Sequence, residues 1–193
     1  MNKHNLTITI LFCLITICYA GKNDITLIRK KFIDKGVTIK IISHERGIMG
    51  EHVCSVKIYE ENQPLMKMAL SKPITGIKKS DVKLIELGEE VYGIEFTYRY
   101  ELPQEGDFSS SHTKSVNYNF YARIDGNFKH VLAKSVHFES VPYNNKLELD
   151  YKSDKAIVES YKIDYVDEDN DGIKDIVITN KKNGKKETVI IKR

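Results

Sequence analysis

Alternation at every second residue is the feature that most restricts this chain. From Ile25 onward, β-branched and aromatic residues recur with a period of two in Val37–Ile42, Val53–Tyr59, Val91–Tyr100, Val116–Arg123 and Val131–Phe138. The same rhythm continues in Tyr161–Val166, Ile176–Thr179 and Thr188–Lys192. Successive side chains of a strand point to opposite faces, so this pattern builds sheets, and β-branched and aromatic side chains fit a pleated, half-buried surface. The nearest thing to a helical face, Ser80 to Leu87, amounts to a turn or two. Asp125-Gly126-Asn127 and Asn183-Gly184 separate strand segments with residues that tolerate positive φ, and predict two hairpins. The fold class is therefore all-β, made of antiparallel hairpins. A propeller-like arrangement of small sheets and a two-sheet β-sandwich both fit the strand spacing.

Composition narrows the class further. With 193 residues and 41% hydrophobic content, the chain can bury one core of ordinary size. Seven Phe and eleven Tyr argue against disorder, and a net charge of +3 is too mild for a dedicated nucleic-acid binder. Lys3 and His4 precede an apolar run, Leu6 to Tyr19, that falls short of the roughly 20 apolar residues of a membrane-spanning helix. Cys18 and Ala20 supply small residues for a cleavage site. The expectation is a signal peptide over 1–20, a single domain over 21–193, a periplasmic or secreted location, and no membrane span after cleavage. Cys13 and Cys18 leave with the signal, so Cys54 has no partner for an internal disulfide and is expected to be a buried apolar residue.

Three stretches interrupt the alternation. Glu101 to Lys114 reads as a polar loop, and loops of that length are often binding elements, which makes Asp107, Ser109, Ser110, Ser111 and His112 candidate partner-binding residues. Ser140 to Asp154 reads as a second irregular stretch, and Ser43 to His52 as a wide turn.

The sharpest local signal is DEDNDGIKD, residues 167–175. Asp167, Asp169 and Asp171 occupy positions 1, 3 and 5 of a tight loop, Gly172 sits at position 6 and Asp175 at position 9. Calcium takes six to eight oxygen ligands, and alternating carboxylates can converge on it, with the Ile173 carbonyl at position 7. Position 12, where an EF-hand places glutamate, is Ile178, and the flanking segments read as strands, so this is not an EF-hand. Calcium is the expected cofactor, in a structural role.

DEDNDGIKDIVI resembles the calcium loop of FG-GAP and VCBS-type repeats, which carry several such loops in a bladed propeller; here there is one. An exported β-domain with hairpins such as NFYARIDGNFKHV and one terminal loop of this kind is also similar to periplasmic lysozyme-inhibitor-like and effector-immunity proteins. That resemblance favours the propeller-like arrangement and implies a protein partner, a lysozyme-like muramidase. No S-G-x-x-Y inhibitory motif is present, so no inhibitory residue carries over.

Other chemistry is set aside. His44, His52 and Cys54 lack the paired spacing of a zinc site, and His112, His130 and His137 give no recognisable triad with a nucleophile. There is no G-x-S-x-G elbow, phosphate loop or H-E-x-x-H. The basic C-terminal hairpin reads as a solvated edge. The expected function is an exported calcium-binding protein-interaction domain, not an enzyme. A calcium-rigidified envelope or adhesive module comes second, and an envelope hydrolase third.

Overall fold

The computed structural model describes residues 24–46, 51–70, 74–102 and 111–192. The expected signal peptide lies outside them. The strands are β1 (Ile25–Phe32), β2 (Val37–Arg46), β3 (Glu51–Glu60), β4 (Gln63–Ala69), β5 (Val82–Gly88), β6 (Val91–Glu101), β7 (Ser111–Ile124), β8 (Asn127–Pro142), β9 (Ile157–Val166), β10 (Asp175–Asn180) and β11 (Lys186–Val189). Strands β1 to β4 form a four-stranded sheet and β5 to β11 a seven-stranded one, each in sequence order. Every pairing is antiparallel.

The all-β reading holds. The small sheets of a propeller-like arrangement do not appear among the described strands, and the two-sheet alternative fits. The reason lies in strand length. The segments read as breaks continue as strand: Ser111–Lys114 pairs with Glu139–Pro142, so β7 and β8 reach 14 and 16 residues. So long a hairpin carries neighbours on both sides and merges the later strands into one sheet. The stretch from Ser80 also differs from expectation: a single 3-10 turn, Lys79–Asp81, leads directly into β5. The Asp125-Gly126 turn has φ of 50° and 78°, as a type I′ hairpin requires. Glu61 and Asn62, with φ of 46° and 71°, make a similar two-residue turn between β3 and β4.

The seven-stranded sheet is apolar on both faces. Alternate residues of β6 and β7, among them Ile94, Phe96, Tyr98 and Tyr121, join Ile39, Ile41, Val56 and Ile58 of the four-stranded sheet in the first core. On the other face, Tyr118, Phe120 and Ala122 of β7 meet Leu87 of β5 and Ile176 and Ile178 of β10 in a second core. Strands β5 and β10 lie near opposite edges of the sheet, so sharing one cluster requires the sheet to curl toward that face. Two register shifts between β7 and β8 supply local bends. Strand β8 pairs with β9 only over His137–Ser140, which leaves the rest of β9 free to follow β10. The Lys174 N–H donates to the Leu87 carbonyl at 2.8 Å and latches the curl.

Among the described residues, Tyr121 is the largest fully buried side chain and its hydroxyl has no hydrogen-bond partner; the ring stacks on Phe96 at 5.8 Å. A buried hydroxyl left unpaired costs about 1–3 kcal/mol. Tyr121→Phe is therefore expected to hold or raise stability by about 1 kcal/mol, seen as an unchanged or higher denaturant midpoint.

Candidate functional site

The Asp loop joins β9 to β10, and its geometry follows from its short polar side chains. Asn170 and Gly172 take positive φ, 60° and 83°, which turns the chain sharply. The Asp167 carboxylate accepts the N–H groups of Asp171 and Gly172 at 3.1 and 3.0 Å, and Asp171 Oδ1 accepts the Ile173 N–H at 2.8 Å. Asp175, fully buried, accepts from Glu168 N–H through Oδ2 at 3.1 Å and from Ile191 N–H through Oδ1 at 2.8 Å.

These restraints bring Asp167, Asp169 and Asp175 together, each offering an oxygen within 4.8 Å of the others. Asp171 is not in that group, because its carboxylate turns back onto its own loop. The Ile173 side chain is buried in the second core and anchors the loop there. A carboxylate oxygen can accept an N–H with one lone pair and face a cation with the other, so the backbone bonds do not use up the donor set. Three hard oxygens at this separation suit calcium rather than a thiolate- or imidazole-seeking metal. The Lys192 ammonium lies 3.5 Å from Asp169 and offsets part of the acidic charge. The loop also abuts β5: a Cβ on Gly88 would stand 2.6 Å from the Gly172 carbonyl oxygen.

Of the candidate partner-binding residues, Asp107, Ser109 and Ser110 lie outside the described residues. Ser111 and His112 belong to β7 rather than to a loop. The His112 Nε2 lies 3.2 Å from Glu101 Oε1, and both residues line an open cleft with Thr75, Leu102, Tyr143 and Leu147. Leu147 is 82% exposed at φ 61°, in a turn whose Lys146 and Glu148 N–H groups both donate to the Asn144 side chain.

Of the residues weighed for zinc, the side chains of His44 and Cys54 are described. Both ring nitrogens of His44 are engaged, by Asp24 at 2.5 Å and Ser55 at 2.6 Å, and Cys54 is a buried free thiol as expected. The side chain of His52 lies outside the described residues. The His44 contact, above all its hydrogen bond, holds the Asp24 carboxyl below the usual range. His130 is held below the ordinary histidine value by burial.

Two polar constellations were not legible in the sequence. On the second-core face, Tyr165 donates to Glu95 Oε2 at 2.5 Å and shares a 2.9 Å hydrogen bond with Tyr118, while Lys83 pairs with Glu95 Oε1 at 2.8 Å. Burial pushes both tyrosine hydroxyls well up, which keeps them protonated donors. The other group spans β7, β8 and β9. His137 Nδ1 lies 2.8 Å from Ser160 Oγ and Nε2 lies 2.7 Å from Glu139 Oε1, and Lys114 Nζ lies 2.9 Å from Glu139 Oε2. Burial alone would raise the Glu139 carboxyl, but hydrogen bonds from Lys114 and His137 outweigh it and hold the group below its ordinary value. No family model, curated protein or solved structure matches this chain.

Proposed function

We propose that the chain is an exported calcium-binding protein-interaction domain, acting as a lysozyme inhibitor or immunity protein against a lysozyme-like muramidase. The observation that carries the calcium half is the convergence of Asp167, Asp169 and Asp175 at a loop pinned to the second core. An ion there would bridge β9, β10 and the Asp175-bound C-terminal segment, and binding to the folded form alone stabilises it by about 2.7 kcal/mol at a hundredfold excess over the dissociation constant. The partner half rests on the resemblance of the exported β-domain with its terminal loop. The cleft beside Glu101 and His112 offers a surface for contact, with exposed Leu102 and Leu147 at its rim.

Calorimetry of calcium into chelator-treated protein tests the first half. One site per chain is expected. Asp169→Ala should weaken it at least tenfold, and Asp171→Ala far less, because only the former belongs to the converging group. No heat at millimolar calcium would reduce the loop to an acidic turn. For the partner, stoichiometric addition should block muramidase turnover, and Leu147→Asp should relieve the block while leaving calcium uptake intact. Unimpeded turnover would remove the inhibitor reading, and the calcium-rigidified envelope module would then take its place.

A further inference from the structure

We propose that Ser160, His137 and Glu139 form a nucleophile, base and orienting carboxylate that give this protein an acyl-transfer activity toward carboxylic esters. The inference is independent of calcium and of any protein partner. It rests on how the sheet register assembles residues that the sequence leaves scattered. His137 of β8 stands directly opposite Ser160 of β9, and Glu139 lies two residues along β8, on the same face. Lys114 of β7, opposite Glu139 on the other side, reaches that same face.

The protonation pattern follows from the partners. Glu139 is an ionised carboxylate, held so by Lys114, and a carboxylate only accepts hydrogen bonds. The His137 nitrogen facing it, Nε2 at 2.7 Å, must therefore carry the ring proton. A neutral imidazole has one donor and one acceptor, so Nδ1 presents its lone pair. The Ser160 hydroxyl, 2.8 Å away, is then the donor, with its proton aimed at a base. This is the arrangement that activates a serine, with the two ring nitrogens exchanged relative to the commoner triad.

The supports are rigid. Lys114 at 2.9 Å and the Tyr151 hydroxyl at 3.3 Å both fix Glu139 Oε2, so the carboxylate cannot rotate away from the ring. The His137 side chain is 33% exposed, open enough for a small ester to reach it. His112 lies two residues before Lys114 and shares its face of β7, which places the apolar-rimmed cleft at the same end of the sheet.

The chemistry balances without a further reagent. As Ser160 Oγ attacks the carbonyl carbon, its proton passes to His137 Nδ1, and the new O–C bond gives a tetrahedral adduct. Collapse breaks the bond to the leaving oxygen, which takes the proton from His137 and departs as the alcohol. Water then attacks the acyl-serine with proton transfer to the same nitrogen, and collapse returns Ser160 its proton and releases the acid. Glu139 positions the ring and offsets the imidazolium charge throughout; it is a positioning residue.

A fluorophosphonate probe on the full chain, read by peptide mass spectrometry, tests the proposal alongside p-nitrophenyl acetate hydrolysis. One label at Ser160 is expected, absent in Ser160→Ala. Labelling should be slowed about a hundredfold or more in His137→Gln, where the side chain still hydrogen-bonds but cannot act as a base. Glu139→Gln should slow it less, lowering kcat for p-nitrophenyl acetate while KM stays unchanged, since the ring loses the charge that orients it and offsets the imidazolium. Melting curves of the variants serve as folding controls. No label on the folded wild-type protein, or labelling indifferent to His137, would overturn the proposal and leave a static cross-strand bridge.

Discussion

Gly93→Ala is expected to lower the melting temperature by about 6–12 °C, the equivalent of about 3 kcal/mol of overpacking in a chain of this size. A Cβ at that position would stand 2.1 Å from Phe120 Cζ and 2.5 Å from Cε1, far inside contact distance. The Phe120 ring lies across the bare backbone of β6 and has no room to retreat. It is fully buried, lies parallel to Tyr118 at 6.4 Å, and meets Tyr165 at 5.7 Å on its way to the second core. Moving the ring would also disturb the hydrogen bonds linking Tyr118, Tyr165 and Glu95. Trimming the ring should restore part of the loss, so Gly93→Ala with Phe120→Leu should fall short of the sum of the two single effects. Thermal melts of the four proteins decide it. A single-variant loss under 2 °C would show that the ring has a second place to go.

Asp175→Ala should also be severe, about 2–4 kcal/mol, by a different route. Its carboxylate is fully buried and ties two segments to the start of β10. Deletion leaves the buried Ile191 N–H without its acceptor, which costs about 1–3 kcal/mol, frees the more exposed Glu168 N–H to water, and opens a void where the buried side chain stood. Ile191 itself is 2% exposed in the second core, so loss of its tether should release the C-terminal segment locally before the domain unfolds. Hydrogen exchange is the discriminating measurement. The Ile191 amide should lose most of its protection in Asp175→Ala, while amides of the first core, such as that of Ile94, keep theirs relative to global stability. Unchanged Ile191 protection would mean that packing alone holds the segment. Calcium uptake should vanish in the same variant, in contrast to Asp171→Ala.

The class of fold was readable because alternation and positive-φ turn residues are local. Asp125-Gly126 names its own turn. Strand β4 was harder: Gln63–Ala69 contains a proline and methionines and is largely exposed, as an edge strand can afford to be. Strand β7 extends through Ser111–Lys114 because its polar side chains find partners across the sheet, His112 with Glu101 and Lys114 with Glu139. Read alone, that sequence looks like a loop; read against its neighbours, it is a paired face. The Asp loop was legible for the same reason the turns were, since its residues are contiguous. Yet the spacing that put Asp171 beside Asp167 and Asp169 could not foresee that its carboxylate would take the Ile173 N–H instead. Nor could it show that Asp175 serves the C-terminal segment. The group of Ser160, His137 and Glu139 depends wholly on the β8–β9 register, which no local pattern encodes.

The latch between Leu87 and Lys174 sets an order of assembly. Among the described residues, the first core draws all its buried members from positions up to Phe128, so its two sheets can close without the C-terminal third. The second core cannot. Its β5 and β7 faces stay bare until Ile173, Ile176, Ile178 and Ile191 dock on them. A partly folded chain therefore shows Tyr118, Phe120 and Leu87 as an apolar face open to other unfolded chains. Protection against aggregation is needed on that face, until the last strands close over it.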